Sequence, residues 1–176
     1  MPLTLVATPG AANANAYATQ AAAITHAQYR VGGAAFIALT SDQQIQALVT
    51  AASDIDAIGD GVAGFIGDRA TATQSMEWPR DAGTLPANLV EANIELAMSY
   101  APAFVTGYTG DVLNPSRSDG TIKRKKVDVL ETEWFEARTT EATALERFPD
   151  VVQRLLSSLI RIVATWGGSA IVARGS

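Results

Sequence analysis

The chain has 176 residues, of which 48% are apolar and 18% charged, and its formal net charge is −5 at pH 7. This length and composition indicate one globular domain spanning residues 1–176. The acidic balance argues against a general nucleic-acid binder, because such proteins need surplus Lys and Arg to displace phosphate counterions. The absence of cysteine excludes disulfides and thiolate metal sites. No apolar run reaches the roughly 20 residues of a membrane helix, so we expect a soluble protein without membrane contact.

The first part of the chain is predicted to be helical. Thr19 is placed to cap a short helix over Gln20–Tyr29, and a Gly-Gly pair ends it, since glycine readily adopts left-handed backbone angles. Ser41 followed by Gln44 predicts a capping box that opens a second helix. The apolar residues behind this box recur at helical spacing and form one stripe: Ile45, Leu48, Val49, Ala52, Ile55 and Ile58.

A loop and a longer helix follow. Residues 59–84 are loop-like and contain Trp78-Pro79-Arg80, where the proline holds the tryptophan in an extended conformation, as a fixed anchor. Pro86 suits the first turn of a helix, where its missing N–H costs nothing. Pro102 and Gly107 are predicted to close this helix. Its wide apolar face predicts a central helix that packs on two sides.

The remainder is predicted to contain a flexible loop at Thr106–Gly120, an extended strand or hairpin arm over Thr121–Phe135, and a last helix from Pro149. The buried side of that helix is expected to comprise Val152, Leu155, Leu156, Leu159, Ile162 and Val163. The predicted fold class is therefore mainly α, a small bundle of about four helices with a β-strand or hairpin arm and extended N- and C-terminal tails. The body would cover 17–105 and 149–165, the loop and arm 106–137, and the C-terminal tail 166–176.

No residue pattern points to catalysis. His26 is the only histidine, and no nucleophile or orienting carboxylate lies near it in sequence, so a structural or surface role is favoured. Glu91/Glu95 and Glu131/Glu133 are carboxylate pairs of a kind common on solvated faces and interfaces. With one histidine, no cysteine and scattered aspartates, we expect no metal site, no cofactor and no enzymatic activity.

The run Lys123-Arg124-Lys125-Lys126 has two interpretations. It could contact DNA phosphates or an acidic partner, or it could be a solvated hairpin tip, which the four acids close behind it favour. Residues 1–100 hold three basic and nine acidic side chains, whereas residues 101–176 hold ten basic and nine acidic ones. An acidic body with a mixed-charge arm suits a subunit of a stacking ring, since exposed apolar residues on arms and tails need a partner to bury them.

The order of these features resembles the head–tail connector (adaptor) family of tailed bacteriophages, some members of which carry the label DnaT-like single-stranded-DNA-binding protein. The likeness covers nearly the whole chain, although the first helix lacks the family's acidic and aromatic residues and the second helix is less basic. The elements that carry it are Asn15-Ala16-Tyr17, Thr40-Ser41, Glu77-Trp78-Pro79-Arg80, Leu85-Pro86, Glu91-Ala92, Glu95-Leu96-Ala97, the Lys-rich stretch before the β segment, and the Leu-rich helix from Pro149.

The resemblance implies a structural protein of the virion neck, synthesised in the host bacterial cytoplasm. It would form a ring, typically of twelve copies, between the portal protein and a stopper (head-completion) or tail-completion protein. Packaged double-stranded DNA would pass through the lumen without sequence-specific binding.

The resemblance also implies roles for particular residues. The tail would dock on the portal through Trp166, Ile171, Val172 and Arg174. The arm would contact neighbouring subunits or DNA through Lys123, Arg124, Lys125, Lys126, Trp134 and Phe135. Trp78, Pro79 and Arg80 would anchor the subunit internally, with Arg80 pairing an acid.

Two alternatives stay open. One is an accessory single-stranded-DNA-binding protein that uses Lys123–Lys126. The other is a cryptic enzyme, which would need a ligand pocket lined by His26 or the glutamates.

Overall fold

A computed structural model of the protein describes residues 4–59, 64–81, 83–107, 124–127, 130–133, 145 and 147–160. In this part of the chain the structure is mostly helical, which confirms the predicted fold class. The helices are α1 (Gln20–Gln28), α2 (Gly33–Ile37), α3 (Ser41–Asp56), α4 (Ala87–Thr106) and α5 (Asp150–Leu156), which runs into a 3-10 turn at Ser157–Leu159. The strands are β1 (Arg124–Val127) and β2 (Leu130–Glu133). None of the described helices combines the length and apolar character needed to cross a bilayer.

Helix α4 is the centre of the fold, and it packs against α2, α3 and α5. Its buried residues lie around most of its circumference, as the wide apolar face predicts: Leu89, Ala92, Asn93, Ile94, Leu96, Ala97, Met98, Tyr100 and Ala101. The facing helix α3 buries Ala47, Ala51 and Ala52 beside Leu48 and Ile55. Small alanine side chains allow the backbones of α3 and α4 to approach closely, while the fully buried rings of Phe36 and Phe148 fill other parts of the core.

The N-terminus of α3 lies one residue earlier than the sequence pattern suggests. Thr40, not Ser41, is the N-cap, and its hydroxyl accepts from the backbone N–H of Gln43 at 3.3 Å while the Gln43 side chain accepts from Thr40 N at 3.0 Å. The predicted Ser41/Gln44 box is therefore wrong. Gln44 is buried instead, where its amide donates to Phe36 O at 3.1 Å and accepts from Gln20 Nε2 at 2.7 Å, tying three helices together.

Other boundaries also differ from the predictions. The short helix α2 was not expected, because its glycine start reads as a helix end. Pro86 is the N-cap of α4 rather than part of its first turn, and Pro102 lies inside α4. Helix α5 is shorter than predicted, because the chain tightens into the 3-10 turn and Ile160 then forms an antiparallel bridge with Phe65. The predicted positions Ile162 and Val163 lie outside the described residues.

The two strands form an antiparallel hairpin, which is one of the two forms predicted for the arm. The register sets Arg124 opposite Glu133 and Lys126 opposite Glu131. Opposite charges at directly facing positions favour the pairing of antiparallel strands. Of the three described residues of the basic run, Arg124 and Lys126 thus face acids, while Lys125 faces Thr132.

Candidate functional site

The Glu77-Trp78-Pro79-Arg80 motif is an internal clamp. The Arg80 guanidinium forms a close ion pair with the Glu77 carboxylate and also donates from Nε to Glu77 O at 3.1 Å. Its Nη1 donates to the backbone oxygens of Phe65, at 3.4 Å, and Gly67. A planar guanidinium offers several donors in fixed directions, so one side chain can hold two separate loop segments. Arg80 therefore fixes residues 65–67 to the end of the 64–81 loop.

Trp78 and its neighbours fill the interior of this loop. Trp78 is buried and packs edge-to-face on Phe65, with ring centroids 5.9 Å apart, while the Arg80 guanidinium lies 5.4 Å from the Phe65 centroid. The buried Gln74 donates from Nε2 to Met76 O at 2.8 Å and to Pro79 O at 3.0 Å. The indole N–H of Trp78 is buried and has no hydrogen-bond partner among the described residues. These contacts give the motif a structural role inside the fold.

Asp56, the last residue of α3, joins this clamp to the N-terminal segment. The Tyr17 hydroxyl donates to Asp56 Oδ1, and the backbone N–H of Glu77 donates to Oδ2 at 3.3 Å. Burial raises the pKa of Asp56 from 3.8 to about 6, against the lowering effect of its hydrogen bonds and of Arg69. Burial and the nearby Asp56 carboxylate also raise the pKa of Tyr17, which keeps its hydroxyl protonated as the donor.

The Asn15-Ala16-Tyr17 motif is held by two asparagine side chains. Asn15 Oδ1 accepts from Val6 N and its Nδ2 donates to Thr4 O, both at 2.8 Å, which folds the first described residues back on themselves. Asn93, fully buried in α4, accepts from the backbone N–H groups of Tyr17 and the next residue at 3.1 Å, and donates to Leu48 O at 3.0 Å. One amide therefore connects the N-terminal segment, α3 and α4.

A charged cluster lies between α1 and α4. His26 Nε2 is 2.8 Å from Glu95 Oε1, and Arg30 pairs with the same oxygen and, at 3.4 Å, with Glu91 Oε1. The histidine and the two glutamates have the spacing of a possible metal site, because their ligand atoms lie within 4.8 Å of one another. However, the Arg30 guanidinium already supplies positive charge to both carboxylates. We therefore interpret the cluster as an ion-pair tie between the two helices.

The described surface also carries isolated apolar side chains. Tyr29 is 85% exposed and Val31 is fully exposed, both in the turn between α1 and α2. Val105, in the last turn of α4, is 75% exposed. We call Tyr29, Arg30 and Val31 the corner patch, and Val105 with Thr106 the α4-end patch. A tyrosine beside an arginine is typical of the residues that dominate binding energy in protein interfaces.

Residues 1–174 match the family described as "Putative DnaT-like ssDNA binding protein". The chain belongs to this family. The match confirms the part of the resemblance that concerns the DnaT-like label, and it leaves the head–tail connector identity open. No curated protein and no solved structure matches the chain.

In this DnaT-like chain the structure describes only part of the predicted site. Trp78, Pro79 and Arg80 lie in the internal clamp described above. Arg124, Lys125 and Lys126 lie in β1. The other predicted residues lie outside the described part of the chain: Lys123, Trp134, Phe135, Trp166, Ile171, Val172 and Arg174.

Sequence reasoning missed the contacts between distant segments. A single buried asparagine such as Asn93 gives no local signal, because its partners are backbone groups far away in the sequence. The ion-pair tie did leave a trace, since His26 and Arg30 are four residues apart, as are Glu91 and Glu95. One pair is basic and the other is acidic, and both have the four-residue spacing that places side chains on one face of a helix. This match could have suggested that the two pairs meet.

Proposed function

We propose that this member of the DnaT-like family is a non-enzymatic head–tail connector of a tailed bacteriophage, a ring subunit that stacks on the portal protein and receives the next neck or tail protein. The observation that carries the proposal is the surface of the helical body. Exposed apolar side chains lie at its corner and α4-end patches, on a body whose cations are largely engaged by its own groups. Such a surface suits contacts with protein better than contacts with phosphate.

Four of the five arginines of the described helical body support this argument, whereas the fifth, Arg154 of α5, is exposed and unpaired among the described residues. Arg30, Arg69 and Arg80 are each ion-paired with glutamate. Arg147 donates to Asp54 O at 2.6 Å and stacks on Phe148, with 4.8 Å from its Cζ to the ring centroid. A guanidinium that is neutralised by a carboxylate releases few counterions from DNA, so it contributes little to DNA affinity. The body of a connector that lets DNA pass needs such a low affinity for DNA.

The charge distribution along the chain supports the same function. All three lysines of the chain lie in the basic run, and β1 faces acidic positions of β2 at Arg124 and Lys126. A net negative channel wall repels phosphate and allows DNA to slide without sticking. A hairpin with alternating charges can also make specific contacts with a neighbouring copy or with the next ring.

The direct test is to mix the full chain with the portal protein of the same phage and to image the mixture by negative-stain electron microscopy. We expect a second ring stacked on the portal ring. A variant that lacks Ser169–Ser176 should leave the body folded but lose the stacked ring, because the proposed docking residues of the tail are removed. Portal rings that remain bare with the full chain would contradict the connector function.

A second candidate function is single-stranded-DNA binding, which the description of the family favours. The residues that would carry it are Lys123–Lys126, the only cluster of cations in the chain. Replacement of all four by glutamine removes four positive charges outside the described helical body, so the fold of that body should be retained.

These two functions predict different results for the glutamine variant. If the chain binds single-stranded DNA, fluorescence anisotropy should show salt-dependent binding at 50 mM salt that the fourfold variant loses by about 100-fold or more. If the chain is a connector, the full chain should bind such DNA weakly, and the variant should differ from it little. Tight, salt-sensitive binding by the full chain would favour the second candidate over the first.

A further inference from the structure

We propose that the ion-pair tie between α1 and α4 is also a binding site for a divalent transition metal ion such as Zn²⁺. His26, Glu91 and Glu95 would hold the metal ion, which would take the place of the Arg30 guanidinium. Such a site lies within the helical body of one copy. It goes beyond the connector function and does not depend on it.

The three side chains offer the ligand atoms that zinc prefers. Imidazole nitrogen and carboxylate oxygen are common zinc ligands in proteins. Glu91 and Glu95 are four residues apart in α4, so both lie on one face of the helix, one turn apart. Two ligands at this spacing on one helix can bind the same metal ion. Since His26 faces them from α1, a bound ion would join the two helices.

The ligand atoms are already close to the distances that a bound ion needs. His26 Nε2 is 2.8 Å from Glu95 Oε1, and one ligand atom from each of the three residues lies within 4.8 Å of the others. Bond lengths of about 2.1 Å place the ligand atoms around a tetrahedral zinc ion about 3.4 Å apart. The His26–Glu95 pair would therefore open by roughly 0.6 Å, and wider separations would close by at most about 1.4 Å. Rotations of exposed side chains can supply changes of this size.

The charges of the tie favour a dication over a guanidinium. Glu91 and Glu95 bring two carboxylates to the tie, and Arg30 supplies one permanent positive charge to them. Like charges one helical turn apart repel each other and destabilise the helix. A dication between the two carboxylates neutralises both of them, which a single guanidinium cannot do.

Arg30 is held loosely enough to give way to a metal ion. Its guanidinium contacts the Oε1 atoms of the glutamates, and the contact with Glu91 is 3.4 Å, which is long for a hydrogen bond. The side chains of Arg30 and Glu91 are 39% and 40% exposed, and exposed ion pairs contribute little to stability. Because Arg30 lies between α1 and α2, its side chain can turn into solvent without unfolding of either helix.

The ligand set also predicts which metal ions bind. Imidazole suits Zn²⁺, Ni²⁺ and Cu²⁺, whereas Mg²⁺ prefers oxygen ligands and keeps several of its waters. We therefore expect Zn²⁺ to bind much more tightly than Mg²⁺. Three protein ligands leave one position of a tetrahedral ion to water. The expected effect of the ion is to fix α1 against α4.

The sequence allows a direct measurement, because His26 is the only histidine and the chain has no cysteine. The full chain without an affinity tag is labelled with ¹³C and titrated with zinc chloride, while NMR follows the signals of the single imidazole ring. We expect these signals to change with saturation below about 1 mM zinc, the weak limit of specific binding. Magnesium chloride at the same concentration should leave them unchanged. Ring signals that do not respond to zinc would overturn the proposal.

Variants of the ligands test where the metal ion binds. H26N, E91Q and E95Q each remove one ligand, and we expect each to weaken zinc binding by about tenfold or more in competition with a zinc indicator. The control D42N removes an exposed carboxylate at the start of α3 and should leave the affinity unchanged. Equal losses in D42N and the ligand variants would indicate a general attraction of zinc to the acidic surface and would overturn the site. Far-UV circular dichroism checks that each variant keeps its helices.

R30M tests the exchange between the guanidinium and the metal ion, and it keeps all three ligands. It removes the competing cation and retains an unbranched side chain, so we expect the zinc affinity to rise by about threefold to tenfold. Zinc should also slow amide hydrogen exchange in the last turn of α1, in the native chain and in R30M. Equal zinc affinities of the native chain and R30M would overturn the proposed exchange.

Discussion

The buried carboxyl of Asp56 makes the stability of this fold depend on pH in an unusual direction. Its pKa is about 6 in the folded chain and 3.8 in the absence of the fold, because burial disfavours the charged form. The folded state therefore holds a proton that the unfolded state releases between these two values. The resulting stabilisation is fully present below about pH 3.8 and is lost as the pH rises through about 6.

The size of the effect follows from the shift. At about 1.4 kcal/mol per pKa unit the full shift corresponds to about 3 kcal/mol, and partial exposure of the carboxyl reduces this to about 2 kcal/mol. The substitution D56N mimics the protonated acid. Its oxygen can accept from Glu77 N, and its NH₂ group can donate to the Tyr17 hydroxyl oxygen, which can accept as well as donate. The variant should therefore be about 2 kcal/mol more stable than the native chain at pH 7.5, and close to it near pH 4.

Urea denaturation of both proteins between pH 4 and 7.5 measures this difference, and the difference curve cancels groups that titrate equally in both. A second variant, Y17F, removes the hydrogen bond that stabilises the charged form of Asp56. We expect Y17F to raise the pKa of Asp56 further and to make the loss of stability with rising pH steeper. A difference curve between native and D56N that is flat from pH 4 to 7.5, or a midpoint near 4 in a carboxyl NMR titration of Asp56, would refute the reasoning.

Three other substitutions test single contacts. Asn93→Leu leaves the two buried backbone N–H groups of Tyr17 and Ala18 without partners, so we expect a loss of about 2 kcal/mol or more in the free energy of unfolding. A loss below about 1 kcal/mol would contradict the role of Asn93 in joining these segments. Arg80→Met should release residues 65–67. We expect faster amide hydrogen exchange at Ile66 and Gly67, while the amides of α4 stay protected. Unchanged exchange at Ile66 would argue against the clamp. Trp78→Phe removes an indole N–H without a described partner, so its cost by urea denaturation should stay near 1 kcal/mol, below the 3–5 kcal/mol typical of aromatic truncation.

Local signals in the sequence were sufficient for the helices that begin with a capping residue. Thr19 caps α1 as predicted, and its hydroxyl accepts from Ala22 N at 3.2 Å. Helix α5 begins directly after Pro149, again as predicted. The start of α1 is predictable because Thr19 satisfies an orphan N–H group of the first turn, and the start of α5 because the residue at its N-cap is a proline, with an acid directly after it.

The ends of helices and the short elements were harder to predict, because tertiary packing decides where they lie. Ile58 continues the apolar stripe of α3 and is buried, yet the helix has already ended at Asp56. The periodic pattern reports burial and not backbone conformation, so it extends past the helix. Pro102 is tolerated within α4 because the packing of the surrounding residues outweighs the hydrogen bond that a proline removes.

The candidate site was least predictable, because its parts come from separate segments. Glu77-Trp78-Pro79-Arg80 stands out in the sequence, and its anchor role follows from local chemistry. The corner patch does not stand out, since Tyr29 and Val31 read as ordinary residues near a helix end. Their exposure becomes meaningful only when the fold shows that Arg30 between them is held by glutamates of α4.

The family description suggests single-stranded-DNA binding, and the surface of the helical body restricts which residues could carry it. Single-stranded-DNA binding without sequence preference needs a cationic groove with aromatic side chains on which bases stack. In the described body the one highly exposed aromatic residue is Tyr29, and the guanidinium beside it is paired with two carboxylates. Among the described residues, the cations best placed to attract DNA are therefore Arg124, Lys125 and Lys126 of β1 and the exposed Arg154 of α5. Because β1 faces glutamates at two of these positions, the acids of β2 reduce the attraction of the basic run for phosphate. Replacement of Glu131 and Glu133 by glutamine should then strengthen any binding of single-stranded DNA, and an unchanged affinity in an anisotropy titration at low salt would contradict this reasoning.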